Sequence, residues 1–126
     1  MSRRLLALPV PVLLLVAACG PQAAEEPAAP TLEPDGVYRV EVLMRDMHFA
    51  PDAIVVPDGA RLVVELRNTD GMPHDLVLGT GQATALLARG ETATIDVGPV
   101  TDDVDGWCSV AGHRESGMVL TITPAP

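Results

Sequence analysis

Hydrophobic and polar positions alternate over residues 37–44, with Tyr38, Val40, Val42 and Met44 on one face and Arg39 and Glu41 on the other. A period of two is that of a half-buried β-strand. Residues 53–56 predict a second short strand, stopped by the turn-forming run Pro57-Asp58-Gly59. The alternation returns over residues 61–68, where Leu62, Val64 and Leu66 point inward and Arg61, Glu65 and Arg67 outward. Further strands are expected at 74–78, 91–97, 104–109 and 118–123, with one helical turn or a loop at 82–89. Short strands separated by Gly, Pro and Asp clusters predict an all-β antiparallel sandwich or barrel.

The N-terminus follows a different logic. Arg3 and Arg4 precede an apolar run, residues 5–18, that Pro9 and Pro11 interrupt, and it is shorter than the roughly 20 residues of a membrane-spanning helix. Residues 1–18 therefore read as a signal peptide. The sequence Val16-Ala17-Ala18-Cys19-Gly20 resembles the lipobox of bacterial lipoproteins, which implies lipidation at Cys19. Residues 19–36, rich in Pro, Ala and Glu, are expected to tether a folded domain spanning 37–126. The expected location is outside the cell's cytoplasm, with a lipid anchor on the outer face of a bacterial membrane, in the periplasm or at the cell surface.

Composition narrows the partners. Of 126 residues 48% are hydrophobic, but there is one Trp, one Tyr and one Phe, so aliphatic side chains must supply the core. That apolar content excludes disorder throughout. The formal charge is −9, and two of the eight cationic residues precede the apolar run. A domain this acidic does not track a phosphate backbone, which excludes nucleic acid as a partner. With Cys19 lipidated, Cys108 is the only thiol left, and an unpaired cysteine in an exported chain calls for a chemical reason.

That reason lies in its neighbours. Cys108, His113 and Met118 follow one another as C-x4-H-x4-M between two expected strands, and His74 lies upstream in Met72-Pro73-His74-Asp75-Leu76. Two imidazoles and a thiolate with a weak axial thioether are the ligand set of a blue-copper electron-transfer site. The thiolate bonds covalently to copper and the imidazoles suit both Cu(I) and Cu(II). His48, with Met44 and Met47 before it, offers a second cluster, but strand alternation accounts for those residues more simply.

With these residues in view, the chain resembles the cupredoxins, the family of plastocyanin and azurin, over nearly all of residues 37–123. The stretch from Phe49 to Gly59 and Asn68 ahead of the first histidine share in the resemblance. It implies a cupredoxin-like Greek-key β-sandwich of about seven to eight strands, with one type 1 copper ion at one end. His74, Cys108 and His113 would be its strong ligands and Met118 the axial one. It also implies a hydrogen-bonded pair at the site, here Asp75 and Ser109; azurin-like members often carry Asn where this chain has Asp75. The family's loop histidine, here His113, presents its ring edge within an apolar patch, here Met72, Pro73, Val110 and Ala111.

The expected function is that of a membrane-tethered one-electron carrier with a single type 1 copper site. The alternative is a copper-binding module for delivery, storage or resistance. No enzyme is expected: there is no H-x-H pair for a multicopper cluster, and only His48 remains once the blue site is filled. The expected partner is a redox protein with a basic docking surface, steered by acidic residues that include Asp102, Asp103 and Asp105. The chain itself is expected to be a monomer.

Overall fold

The computed structural model describes residues 29–126. The expected signal peptide, Cys19 and most of the tether lie outside those residues. Nine strands occur among the described residues: β1 (Thr31–Leu32), β2 (Tyr38–Arg45), β3 (His48–Ala50), β4 (Ala53–Pro57), β5 (Arg61–Asn68), β6 (Val77–Leu78), β7 (Thr92–Pro99), β8 (Val104–Trp107) and β9 (Val119–Ala125). They form two sheets, β1-β2-β5-β7 with β3 also on β2, and β4-β9-β8-β6. The all-β sandwich expected from the sequence is the fold observed.

Alternation along β2, β4, β5 and β9 builds the core between the sheets. Val40, Val42 and Met44 of β2 and Leu62, Val64 and Leu66 of β5 face inward from one sheet. Ile54 and Val56 of β4 and Leu120 and Ile122 of β9 meet them from the other. The expected strand at 61–68 is β5.

Four details differ from the sequence reading. The sheet begins earlier than Val37, because Thr31 and Leu32 pair with Arg39 and Tyr38, so the last part of the expected tether joins the fold. The strand β3 was not expected; it returns beside β2 after a two-residue turn at Asp46 and Met47, both with positive φ. An all-antiparallel arrangement is also corrected, since β2 pairs with β5 and β4 with β9 in parallel. The chain leaves the first sheet after β3, runs along the second as β4 and re-enters the first as β5, so β5 arrives in the direction of β2. Such long-range pairing leaves no mark on a local alternation pattern.

The fourth detail concerns 74–89. Only Val77 and Leu78 form a strand, and 82–89 hold no helical turn. Instead the two segments lie side by side through isolated bridges, His74 with Leu87 and Val77 with Ala83. The Thr84 hydroxyl accepts the Leu76 N–H at 3.1 Å, so a side chain replaces a regular rung there.

Gly106 of β8 is closely packed by its neighbours. A Cβ there would sit 3.0 Å from methyl groups of both Leu76 and Leu78. Gly106→Ala is expected to lower unfolding free energy by about 1–3 kcal/mol, measured by urea denaturation. An unchanged midpoint would show that the two leucines yield without cost.

Candidate metal centre

Two inward-facing strand ends and two loops supply the site. Cys108 continues the inward register of Val104 and Gly106 past the end of β8, and is 1% exposed. Asn68 continues the inward register of Leu62, Val64 and Leu66 at the end of β5 and is fully buried. Its amide donates to the carbonyls of Met72 and Leu87, both at 2.8 Å. It thereby shapes the loop that delivers His74. Backbone bonds between His74 and Leu87, at 3.1 and 2.7 Å, fix that residue further.

Residues 108–118 fold into a compact loop. The Cys108 N–H donates to the Met118 carbonyl at 3.1 Å and the Met118 N–H to the His113 carbonyl at 3.0 Å. These bonds close the loop at its base and again beside the histidine. Gly112 and Gly117 take φ of +82° and +100°, the left-handed conformation that glycine adopts without steric cost. From within the loop, the Arg114 guanidinium lies 4.2 Å from the centroid of the Trp107 ring at the end of β8, a cation–π contact that holds the loop against that strand.

The result is a buried group of three donors: His74, Cys108 and His113. The Nδ1 atoms of the two histidines are 3.2 Å apart, and the Cys108 sulfur lies 3.5 Å from that of His113 and 3.9 Å from that of His74. A first-row metal bonded at about 2.0–2.3 Å to two nitrogens and a sulfur in one plane holds them roughly 3.5–3.8 Å apart. The observed spacing fits such an ion. Met118 is fully buried in the core beside this loop. His48 takes no part in the group: it is exposed, and its Nδ1 lies 2.7 Å from the Asp46 carbonyl.

Charge and hydrogen bonding around the donors are equally defined. The Asp75 carboxylate accepts the Ser109 N–H at 2.7 Å and the Ser109 hydroxyl, the pair that the family resemblance implied. Burial pushes the Cys108 thiol above its ordinary range, against backbone N–H groups of Asp75 and Val110 that favour the thiolate. The Asp75 carboxylate adds to the upward shift.

Asp70 was missed in the sequence. Its carboxylate lies 2.8 Å from His74 Nε2 and also accepts the N–H groups of Asp46 and Met47. Burial alone would raise its pKa; those donors outweigh it and hold the carboxyl below the usual carboxylate range. Its only sequence signal was its place in Asn68-Thr69-Asp70-Gly71, which a turn already explains: the Asp70 N–H donates to the Asn68 side chain at 2.9 Å.

His113 is 4% exposed. Its Nε2 has no hydrogen-bond partner among the described residues, where no buried side-chain nitrogen is left unpaired, so this edge of the ring reaches solvent. Met72, Pro73 and Ala111 are exposed, as expected of a patch, while Val110 packs partly against the core. Leu86, next to the residue paired with His74, is a further exposed hydrophobe. The acidic residues Asp102 and Asp103 lie ahead of β8 and Asp105 lies on it.

Known proteins share this architecture. An auracyanin from the photosynthetic bacterium Roseiflexus castenholzii aligns with a TM-score of 0.62 at 20% identity, covering 70% of this chain and 97% of that one. Auracyanin A, a "blue" copper protein from Chloroflexus aurantiacus, aligns with a TM-score of 0.58 at 14% identity, covering 69% and 98%. A copper binding protein whose apo form was solved by NMR aligns at 0.61 and 16% identity, covering 79% and 97%. At these identities the likeness is one of fold. No curated protein matches the chain. The model of the cupredoxin-like domain family matches residues 9–102, a span that includes His74 and ends ahead of Cys108. By that match and by its fold, the chain belongs to the cupredoxin-like family.

Proposed function

We propose that the protein is a one-electron carrier with a single type 1 copper ion, held by His74, Cys108 and His113 with Met118 as the axial ligand. The observation that carries this reading is the buried convergence of two imidazole nitrogens and one sulfur at 3.2–3.9 Å. Copper, when bound, supplies the Cu(II)/Cu(I) couple. Cys108 provides the soft anionic donor, and its high thiol pKa means that it gives up a proton on binding a metal. Backbone bonds at Cys108, His113 and Met118 brace the loop that carries these three donors. A scaffold that stiff suits both oxidation states and keeps movement on electron transfer small. His113 offers the exit, since the solvent-facing edge of its ring neighbours an apolar surface suited to brief docking.

The lipobox-like segment at Cys19 and the Pro-rich residues after it support a carrier tethered to the outer face of a bacterial membrane. A net charge of −9 favours a redox partner with a basic docking surface. The proposal includes no catalysis: His48, the one histidine left over, is tied to its own hairpin. A copper-binding module for delivery, storage or resistance is the second reading, favoured by the likeness to the copper binding protein solved in its apo form. Burial of all three donors argues against it, because a site that loads and unloads an ion needs access.

Cys108→Ser is expected to abolish an intense visible band and most Cu(II) affinity while leaving the far-ultraviolet circular dichroism of the fold. Met118→Leu should keep the band and raise the reduction potential, since loss of a weak axial donor costs Cu(II) more than Cu(I). A coloured Ser variant would refute the ligand assignment, and an unmoved potential would make Met118 a core residue only. Cys19→Ala should release the domain into the soluble fraction with its copper site intact. Retention of that variant in the membrane fraction, with the signal peptide removed, would sink the lipid anchor.

A further inference from the structure

Asp70 stands outside the four residues assigned to the ion, yet its carboxylate is bonded on several sides. One oxygen accepts the Asp46 N–H at 2.8 Å; the other accepts the Met47 N–H at 3.1 Å and lies 2.8 Å from His74 Nε2. Its own backbone N–H is held by Asn68. Turning the carboxylate away from the histidine would cost the bonds from Asp46 and Met47, the two positive-φ residues of the turn between β2 and β3.

An ionised carboxylate can only accept hydrogen bonds, so the ring nitrogen facing it must carry the proton. On a neutral imidazole the other nitrogen is then a bare lone pair. Here that other nitrogen is Nδ1, the atom that faces His113 and Cys108.

We propose that Asp70 is a positioning residue of the metal centre, fixing His74 as the Nε2–H tautomer with its Nδ1 lone pair aimed at the site. Its negative charge also tilts the site toward the oxidised ion. The second half rests on the copper reading; the first half needs only this chain. A carboxylate bonded to a ligating imidazole raises the basicity of the ligand, and Cu(II) gains more from a nearby negative charge than Cu(I) does. His74 is fully buried, so little water intervenes to weaken that effect. The hairpin β2–β3, remote in sequence from every proposed ligand, thus becomes part of the site.

Two variants separate geometry from charge. Asp70→Asn keeps an oxygen that can accept from His74 but removes the charge, whereas Asp70→Ala removes both. In the metal-free protein, at a pH where the ring is neutral, nitrogen-15 spectra of the histidines should show the proton of His74 on Nε2 in the wild type and in Asp70→Asn. In Asp70→Ala a mixture of tautomers is expected. In the copper-loaded protein, Asp70→Asn should shift the relative affinity from Cu(II) toward Cu(I) by about threefold to tenfold. The upper figure corresponds to a potential about 59 mV higher. A proton on Nδ1 of His74 in the metal-free wild type would overturn the positioning role. A potential unchanged in Asp70→Asn, with the visible band intact, would overturn the role of the charge. A wild type that develops no intense band would instead refute the copper reading, and the tautomer of the metal-free protein would still decide for or against Asp70.

Discussion

The Asp75 carboxylate bonds both the N–H and the hydroxyl of Ser109, and the site depends on this connection. Asp75 follows His74 in a loop shaped from the first sheet by Asn68, and Ser109 follows Cys108 at the end of a strand of the second. The two donors belong to separate segments of chain, and without a cross-link each could drift by the ångström or so that decides whether an ion is held. One carboxylate with two bonds sets their separation. The cost is a nearly buried negative charge beside the thiol, which helps raise the Cys108 pKa. An incoming cation relieves that cost, so the arrangement favours the metal-bound thiolate over the free one.

The same logic extends outward in layers. Asn68 holds the loop before His74, Asp70 faces the back of the His74 ring, and the β2–β3 turn holds Asp70. On the opposite side, backbone bonds within 108–118 and the contact between Arg114 and Trp107 hold the thiolate and the second imidazole. A donor supported by a chain of bonded groups has little freedom to follow the different preferences of two oxidation states. That rigidity is what an electron carrier needs, and it links the sandwich fold to the function proposed.

Much of this was legible in the sequence, for physical reasons that also mark where legibility ended. The order Cys108, His113, Met118, with His74 upstream, carries chemistry in residue type and spacing, which needs no three-dimensional knowledge. Strands β2 and β5 carry a period of two in which only Leu43 and Val63 depart from polar outward positions, β4 is a short apolar run stopped by Pro57-Asp58-Gly59, and the structure has strands at all three places. Strands β1 and β3 span two and three residues, too few for a period to register. The parallel pairing of β2 with β5 depends on the path taken by the chain between them, which alternation does not encode. Asp70 escaped notice because a turn accounted for it completely. Its second role exists only because the fold brings Asp46 and Met47 beside it from 24 and 23 residues away.

Whether the buried donors form a preorganised type 1 copper site is decided by optical titration of the metal-free protein with Cu(II). We expect an intense blue or green band that grows to one equivalent of copper, bleaches on mild reduction and returns on reoxidation, because the thiolate of Cys108 bonds directly to the ion. A complex that stays colourless at saturation would mean that Cys108 does not ligate copper in a type 1 site.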